Sequence, residues 1–227
     1  MPTRKMPPYT IAPGASTRSI AGMIGAGAKI ALHDCVDAIR WASDVHVSWD
    51  GEDLEVLFQF GIAFALNKPT VVIDLPPATP HKSFQNMVRA HAAFTWTSPI
   101  LTRPLFGRWD AGDVKAQRTF LISPVRGADQ ALNRQVVENL EADGWLVHWP
   151  ARDTDQNDDV GLTICNTNLC AVSAAHQAHF VWDGKSQGSI FDLGMAIARR
   201  KAVTPVHLPP AADDFSDTIA SILGRAG

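Results

Sequence analysis

Several features that define other protein classes are scarce in this chain of 227 residues. It has only three cysteines, Cys35, Cys165 and Cys170, whose uneven spacing does not suit a disulfide framework and favours a reducing compartment. A formal net charge of −3 provides no concentrated basic surface, which argues against binding a nucleic acid polymer. The apolar stretches are short and broken by charge or proline, so no membrane span or signal sequence is predicted. We therefore expect a soluble, cytoplasmic protein.

The sequence contains a copy of itself. Trp49-Asp50-Gly51 recurs as Trp182-Asp183-Gly184, at an offset of 133 residues (182 − 49 = 133). The same offset, without a gap, pairs further residues as follows: His46 with His179, Phe58 with Phe191, Gly61 with Gly194, Lys68 with Lys201, and Leu75-Pro76-Pro77 with Leu208-Pro209-Pro210. Such a duplication indicates two related units, which we place at residues 1–117 and 118–227, with a linker around 106–117.

Hydrophobic periodicity predicts the elements of each unit. Short apolar runs at Val45–Trp49 and Ala178–Trp182 predict buried strands, and apolar residues at helical spacing follow in Leu54–Leu66 and Ser189–Arg200. Three more elements are predicted at the start of the C-terminal unit: strand Thr119–Ser123, helix Gln130–Ala142 and strand Trp145–His148. Tyr9–Pro13 parallels Phe120–Pro124, but the second strand and the loop Pro150–Asp159 have no N-terminal counterpart, which predicts a smaller sheet there. We expect an α/β fold of two flavodoxin- or Rossmann-like parallel-sheet halves packed as a pseudo-dimer.

The segment from Trp182 to Met195 carries the main chemical signal, because it combines a strand end, a glycine-rich turn and a helix start. Such a turn at the carboxyl end of a parallel strand presents backbone N–H groups and a positive helix terminus to an anion such as phosphate. Ser186 and Ser189 add hydroxyl groups, and Asp192 lies one turn into the helix on the same side. In the alternative interpretation, Ser189 and Asp192 only cap and neutralise the helix terminus.

A second segment, Ile122–Gly127, runs from a strand into a loop with Arg126 at its tip. A guanidinium group suits phosphate or sugar oxygens, although a loop arginine is often simply solvated. The two segments together resemble the nucleoside 2-deoxyribosyltransferase superfamily, which includes the 2′-deoxynucleoside 5′-phosphate N-hydrolases. The matching positions are Ser123–Gly127, with Pro124 as a departure, and Ser186, Gly188, Asp192, Gly194 and Lys201.

The resemblance implies a role for each matching residue. Arg126 would contact the substrate, Ser186 would bind a 5′-phosphate, and Asp192 would be the nucleophile. The other substrate-binding candidates are Ser123, Gly127, Asp183, Gly188 and Ser189. The sequence departs from the family in having Asp192 for the usual glutamate, Phe120 for a tyrosine, and Asn168, or Asn166 if the register slips, for an aspartate. We count Asn168 with Asp192 as a catalytic candidate.

The N-terminal copy does not keep these residues. It has Gln59 at the position of Asp192, and a glutamine cannot act as an anionic nucleophile. The other mismatches are Ala15 for Arg126, Asp53 for Ser186 and Cys35 for Asn168. Its Asn86, however, resembles the residue that family members extend into the neighbouring subunit's site, and the alternative is an ordinary exposed helix residue. The halves therefore look complementary, like a homodimer fused and reduced to one site.

We predict a nucleotide N-glycosidase that hydrolyses the N-glycosidic bond of a nucleoside 5′-monophosphate, or transfers the deoxyribosyl group, through an ionised Asp192 and without a cofactor. The partner would be a small nucleotide or nucleoside. Alternatives are a non-catalytic nucleotide-binding or sensing module, an enzyme that cleaves NAD, and a serine hydrolase at Ser186, since Gly184–Gly188 fits Gly-x-Ser-x-Gly. No metal site is predicted, because Cys165, Cys170, His176 and His179 lack the spacing of zinc ligands.

Overall fold

The computed structural model describes residues 6–93, 116–126 and 130–224. Within these ranges the strands and helices are β1 (Tyr9–Ile11), α1 (Gly25–Trp41), β2 (Val45–Ser48), α2 (Leu54–Ala65), β3 (Thr70–Asp74), α3 (Phe84–Ala93), β4 (Arg118–Ile122), α4 (Gln130–Ala142), β5 (Leu146–His148), α5 (Pro150–Asp153), α6 (Leu162–Ala174), β6 (Gln177–Val181), α7 (Gln187–Ala198), β7 (Ala202–His207) and α8 (Asp214–Leu223). The elements predicted from periodicity are confirmed, with ends shifted by one or two residues. Most of the predicted linker around 106–117 lies outside the described residues.

The strands form two sheets in which every pairing is parallel. The N-terminal sheet has the order β1-β2-β3, and the C-terminal sheet has the order β5-β4-β6-β7. Among the described residues the smaller sheet has no counterpart of β5, as the missing segment of the first copy predicts. The described part of the chain is therefore a Rossmann-like α/β structure with one three-stranded and one four-stranded sheet.

The strand order of the larger sheet creates a crevice. The chain passes from β4 to β5 on one side and then returns to β6 on the other side of β4. Loops that leave neighbouring strands in opposite directions open a crevice at the carboxyl ends of those strands. In the smaller sheet β1 lies at the edge, so the described chain makes no such reversal there.

Helices α2 and α7 cross at the centre of the molecule with their backbones in close contact. A Cβ atom added to Gly61 would lie 2.3 Å from the carbonyl oxygen of Phe191, and one added to Gly194 would lie 2.2 Å from the carbonyl oxygen of Phe58. The contact is reciprocal, because Gly61 and Gly194, like Phe58 and Phe191, are related by the repeat. Only glycine permits this approach, which explains why both copies carry it.

The last described helix of each half packs on a helix of the other half. Helix α8 contacts α1, and Thr218 Oγ1 donates a hydrogen bond to the Ile20 carbonyl at 3.1 Å. Helix α3 contacts α6 in the same way, and one hydrophobic core includes buried residues of both halves. None of the described helices has the length and apolar character needed to cross a membrane.

Candidate active site

A cavity of about 350 Å³ opens at the crevice of the larger sheet. Its walls come from the loop after β4, the segment 150–161, α6, the first turns of α7, and the start of α3 in the N-terminal half. A volume of this size suits a small organic ligand. Both halves of the chain therefore contribute to a single ligand-sized cavity.

Asp192 lies on α7, with its buried carboxyl group in the cavity wall. Asn168 of α6 donates a hydrogen bond from Nδ2 to Asp192 Oδ2 at 3.1 Å. Burial raises the pKa of Asp192 to about 8, while the hydrogen bond from Asn168 acts in the opposite direction. Desolvation is the larger of the two effects and favours the protonated form of Asp192, whereas the sequence predicts an ionised group.

Two further buried side chains are connected to Asn168 by hydrogen bonds. Thr154 Oγ1 donates a hydrogen bond to Asn168 Oδ1 at 3.0 Å, and His148 Nε2 lies 3.0 Å from the same Thr154 oxygen. Burial lowers the pKa of His148 to about 4, so its ring is neutral. A row of hydrogen bonds thus connects β5 and its following segment with Asp192.

The turn before α7 is fixed by its own side chains. Asp183 Oδ1 accepts hydrogen bonds from the backbone N–H groups of Lys185 at 3.1 Å and Ser186 at 2.7 Å. Ser186 Oγ caps the helix by accepting from the Ser189 N–H at 3.3 Å, and Ser189 Oγ donates to Ser186 Oγ at 3.0 Å. Ser186 is therefore the residue that caps the helix, whereas Asp192 forms a hydrogen bond with Asn168.

The N-terminal copy builds the same turn. Asp50 Oδ1 accepts from the backbone N–H groups of Glu52 and Asp53 at 2.9 Å, and Asp53 Oδ1 caps α2 by accepting from the Val56 N–H at 3.1 Å. Because both copies share this arrangement, Asp50 and Asp183 stabilise a turn whether or not a cavity adjoins it.

Two cationic side chains line the cavity, Arg126 after β4 and Lys82 before α3. Lys82 Nζ donates a hydrogen bond to the Gln156 carbonyl at 2.7 Å, which connects the two halves across the cavity. Burial lowers the pKa of Lys82, and the charge of Arg126 lowers it further. The two cations are thus close enough to repel each other. Lys82 was not predicted from the sequence, because no motif surrounds it and the family resemblance pointed to its neighbour Asn86.

The structure places some of the predicted residues in the cavity lining and others outside it. Those that line the cavity are Ser123, Arg126, Asn168, Ser186, Gly188 and Asp192. Asp183 and Ser189 are not among the cavity-lining residues and stabilise the turn. Asn86 also lies outside the cavity lining, where Nδ2 donates to the carbonyls of Thr79 at 2.7 Å and His81 at 3.0 Å. Gly127 lies outside the described residues.

The equivalent region of the N-terminal half is filled by the chain itself. The buried Gln59 donates from Nε2 to the Arg18 carbonyl at 2.9 Å, and its Oε1 accepts from the Tyr9 hydroxyl at 3.0 Å. Glu55, at the position equivalent to Gly188, accepts hydrogen bonds from the Ile20 N–H at 2.6 Å and from Ser19 Oγ at 2.8 Å. Side chains at the two positions equivalent to Asp192 and Gly188 therefore bind backbone and side-chain groups of residues 18–20.

Two other kinds of site find no support in the described part of the chain. No group of three or more histidine, cysteine, aspartate or glutamate side chains is arranged there to hold a metal ion. Ser186 has unstrained backbone angles (φ −64°, ψ 108°) and its hydroxyl is engaged in the helix cap, whereas a nucleophile elbow is a strained turn with an exposed serine oxygen.

Comparison of the sequence with models of known protein families gives no match, and comparison with curated proteins gives no significant match. The function must therefore be inferred from the chemistry of the cavity.

Proposed function

We propose that the protein is an N-glycosidase acting on a nucleoside 5′-monophosphate, with Asp192 facing the anomeric carbon of the sugar. The observation that carries this proposal is a buried carboxyl group that opens onto a 350 Å³ cavity shared with two cations and a helix N-terminus. Buried carboxyl groups of altered pKa in a cleft are typical of groups that take part in catalysis.

The cations support a phosphorylated substrate. Lys82, Arg126 and the first turn of α7 at Ser186 and Gly188 all line the cavity. An anion would relieve the repulsion between the two cations and would accept hydrogen bonds from the helix terminus. A nucleoside without phosphate would leave this part of the cavity unsatisfied, so a nucleotide is the better substrate.

The reaction would follow the pattern of retaining glycosidases. The ionised Asp192 would attack C1′ and form a glycosyl ester while the C1′–N bond breaks, and water would then hydrolyse the ester. The leaving base needs a proton. Because an amide cannot supply one, Asn168 would orient Asp192, and the base would be protonated by water.

The pKa of Asp192 sets the expected pH dependence. Since that pKa lies at about 8 and the reactive form is the carboxylate, kcat/KM should rise about tenfold per pH unit below pH 8 and level off above it. A pH profile of kcat/KM for the wild-type protein measures this. A profile that falls over the same range would argue for the protonated acid as the reactive form.

A non-catalytic nucleotide-binding module is the second candidate. The observation that favours it is the same raised pKa, because a protonated Asp192 beside Asn168 can donate a hydrogen bond to a ligand but cannot attack it. In that case the cavity would bind nucleotides and release no base.

One experiment separates the candidates. The purified protein is incubated with deoxy- and ribonucleoside 5′-monophosphates, free nucleosides and NAD, and released base or nicotinamide is separated and quantified while binding is measured by calorimetry. We expect base release from a monophosphate, reduced about a thousandfold or more in Asp192→Asn, and unchanged in Asp217→Asn, the same substitution at an exposed position of α8. Binding without base release would favour the sensing module, and nicotinamide release would favour NAD cleavage.

We also propose that the two halves form a fused pseudo-dimer of flavodoxin-like units. The reciprocal contacts Gly61 with Phe191 and Gly194 with Phe58 support a two-fold relationship, since a symmetric interface has each residue contact its partner's counterpart. The exchange of end helices, α3 onto α6 and α8 onto α1, follows the same symmetry.

A further inference from the structure

A row of buried polar side chains leads from Asp192 away from the cavity. Its members are Asn168, Thr154 and His148, and each is no more than 5% exposed. The three contacts measure 3.1 Å from Asn168 Nδ2 to Asp192 Oδ2, 3.0 Å from Thr154 Oγ1 to Asn168 Oδ1, and 3.0 Å from His148 Nε2 to Thr154 Oγ1. Such a network orients its members only when every donor has an acceptor.

The hydrogen bonds of the structure give the row one direction. The hydroxyl group of Thr154 has one hydrogen, which it donates to Asn168, so its contact with His148 requires a hydrogen on His148 Nε2. The ring of His148 is neutral and stacks on Phe120 with a centroid distance of 5.5 Å and an interplanar angle of 12°. The carbonyl of the Asn168 amide faces Thr154, and its NH2 group faces Asp192.

We propose that Thr154 and His148 are positioning residues that lock the amide of Asn168 with its NH2 group on Asp192 Oδ2, leaving Oδ1 for the substrate. The part that concerns the substrate rests on the proposed glycosidase function, whereas the orientation of the amide does not. Without Thr154 the amide can turn, and its carbonyl oxygen would then oppose the carboxylate of Asp192.

The position of the row in the fold supports this role. His148 ends β5 and Thr154 follows α5, the segment that the N-terminal half lacks. The N-terminal half has Cys35 at the position of Asn168, and its thiol contacts the Tyr9 hydroxyl at 3.4 Å. The extra strand therefore supports Asn168 through His148, and the segment that follows it supplies part of the cavity wall.

Other charged groups surround the row. Arg152 and Asp153 lie near His148, where their effects on its pKa oppose each other, and they pair through Nε and Oδ1 at 2.8 Å. Burial raises the pKa of the Cys165 thiol on α6, and the nearby Asp192 adds to this effect. Lys82 and Arg126 line the same cavity, and on the packed helix α2 Glu55 is bound to the Ile20 N–H.

The test is an NMR titration of the protein labelled with ¹³C at aspartate side chains, in which Asp192 is identified by the signal lost in Asp192→Asn. The key variant is Thr154→Val, which keeps the shape and removes the hydroxyl, and its matched control is Thr154→Ser, which restores it. Asn168→Ala gives the full effect of losing the amide. His148→Phe keeps an aromatic ring against Phe120 and removes the Nε2 hydrogen.

We expect the titration midpoint of Asp192 to rise by about one pH unit in Thr154→Val, since a hydrogen bond to a charged group is lost. Thr154→Ser should titrate like the wild type, and His148→Phe should shift less than Thr154→Val. If base is released, kcat at pH 7 should fall about tenfold in Thr154→Val with KM changed less than about twofold.

An unchanged midpoint in Thr154→Val together with a raised midpoint in Asn168→Ala would overturn the proposal. If Thr154→Val does not fold, His148→Phe takes its place, and an unchanged midpoint there has the same meaning. The titration needs no turnover, so it tests the row even if the wild type releases no base. If base release depends on Asp192 but its titration midpoint does not shift in any variant of Thr154 or His148, the result would support the glycosidase and contradict the positioning role.

Discussion

The cavity beside Asp192 and the filled region beside Gln59 come from two copies of one sequence pattern. Both copies have the same turn, a side-chain helix cap at the same position and the same glycine at the helix crossing. They differ in Gly188 against Glu55 and in Asp192 against Gln59, and the smaller sheet has no counterpart of β5. The comparison teaches that the repeated motif builds the scaffold, while a few side chains and one strand decide whether a cavity forms.

The strongest test of the shared scaffold is the helix crossing. Gly61→Ala and Gly194→Ala should each destabilise the fold by about 3 kcal/mol or more, because the new methyl group meets a backbone carbonyl at 2.3 or 2.2 Å. Urea unfolding measures both variants. The control is Gly27→Ala on α1, where a Cβ atom meets nothing within 4 Å, and stability should be unchanged or raised by up to about 1 kcal/mol. A large effect at only one crossing glycine would break the proposed two-fold relationship.

Removing the carboxyl group at position 192 and adding one at the equivalent position 59 should change the stability of the fold in opposite directions. The pKa of Asp192 in the folded protein is about 8, above the usual value of 3.8, so the unfolded state loses its proton first and stability falls as the pH rises from about 4 to 8. Asp192→Asn removes this loss and should be more stable than the wild type by about 2–4 kcal/mol at pH 7, with little difference at pH 4. Gln59→Glu places a carboxylate beside Glu55 and should be destabilised, most of all at neutral pH.

Unfolding of both variants at pH 4, 5.5 and 7 measures this difference. A gain in Asp192→Asn that is the same at all three pH values would mean that ionisation of Asp192 has no part in it.

Introducing the side chain of Glu55 at the equivalent position 188 should block the cavity. Gly188→Glu, which introduces the side chain found at Glu55, places a carboxylate among the groups that favour an anion and should weaken nucleotide binding about a hundredfold. Calorimetry with a nucleoside monophosphate measures the affinity. Gly188→Ala serves as the control, because its Cβ atom meets nothing within 4 Å, and it should bind within about threefold of the wild type. Equal affinity in Gly188→Glu would place the ligand elsewhere.

The smallest expected effect concerns Lys82, the cation that the N-terminal half contributes to the cavity. Lys82 lines the cavity, whereas its counterpart in the repeat, Phe215, is buried against Phe58 with ring centroids 5.9 Å apart. Lys82→Met should weaken binding of a monophosphate about tenfold and change the affinity for the free nucleoside less than about twofold. Lys185→Met, at an exposed position of the turn, should bind like the wild type. An equal loss for nucleotide and nucleoside would show that the stem of Lys82, not its charge, contributes.

Much of the fold and part of the site could be predicted from the sequence. The repeat predicted the smaller N-terminal sheet, and the spacing in 182–195 predicted the turn that brings Ser186, Gly188 and Asp192 to one place. Lys82 and Thr154 could not be predicted, since they reach the site from segments that carry no motif. The position of Asn86 on α3 indicated the correct segment but not the residue that lines the cavity.

The sequence by itself determined the duplicated α/β scaffold, because periodicity and repeated glycines act through local geometry and close backbone contact. Only the tertiary structure decided that one copy holds a cavity and that burial there raises the pKa of Asp192. Those properties depend on which distant segments surround a side chain and how completely they exclude water from it, and neither is contained in the spacing of residues along the chain.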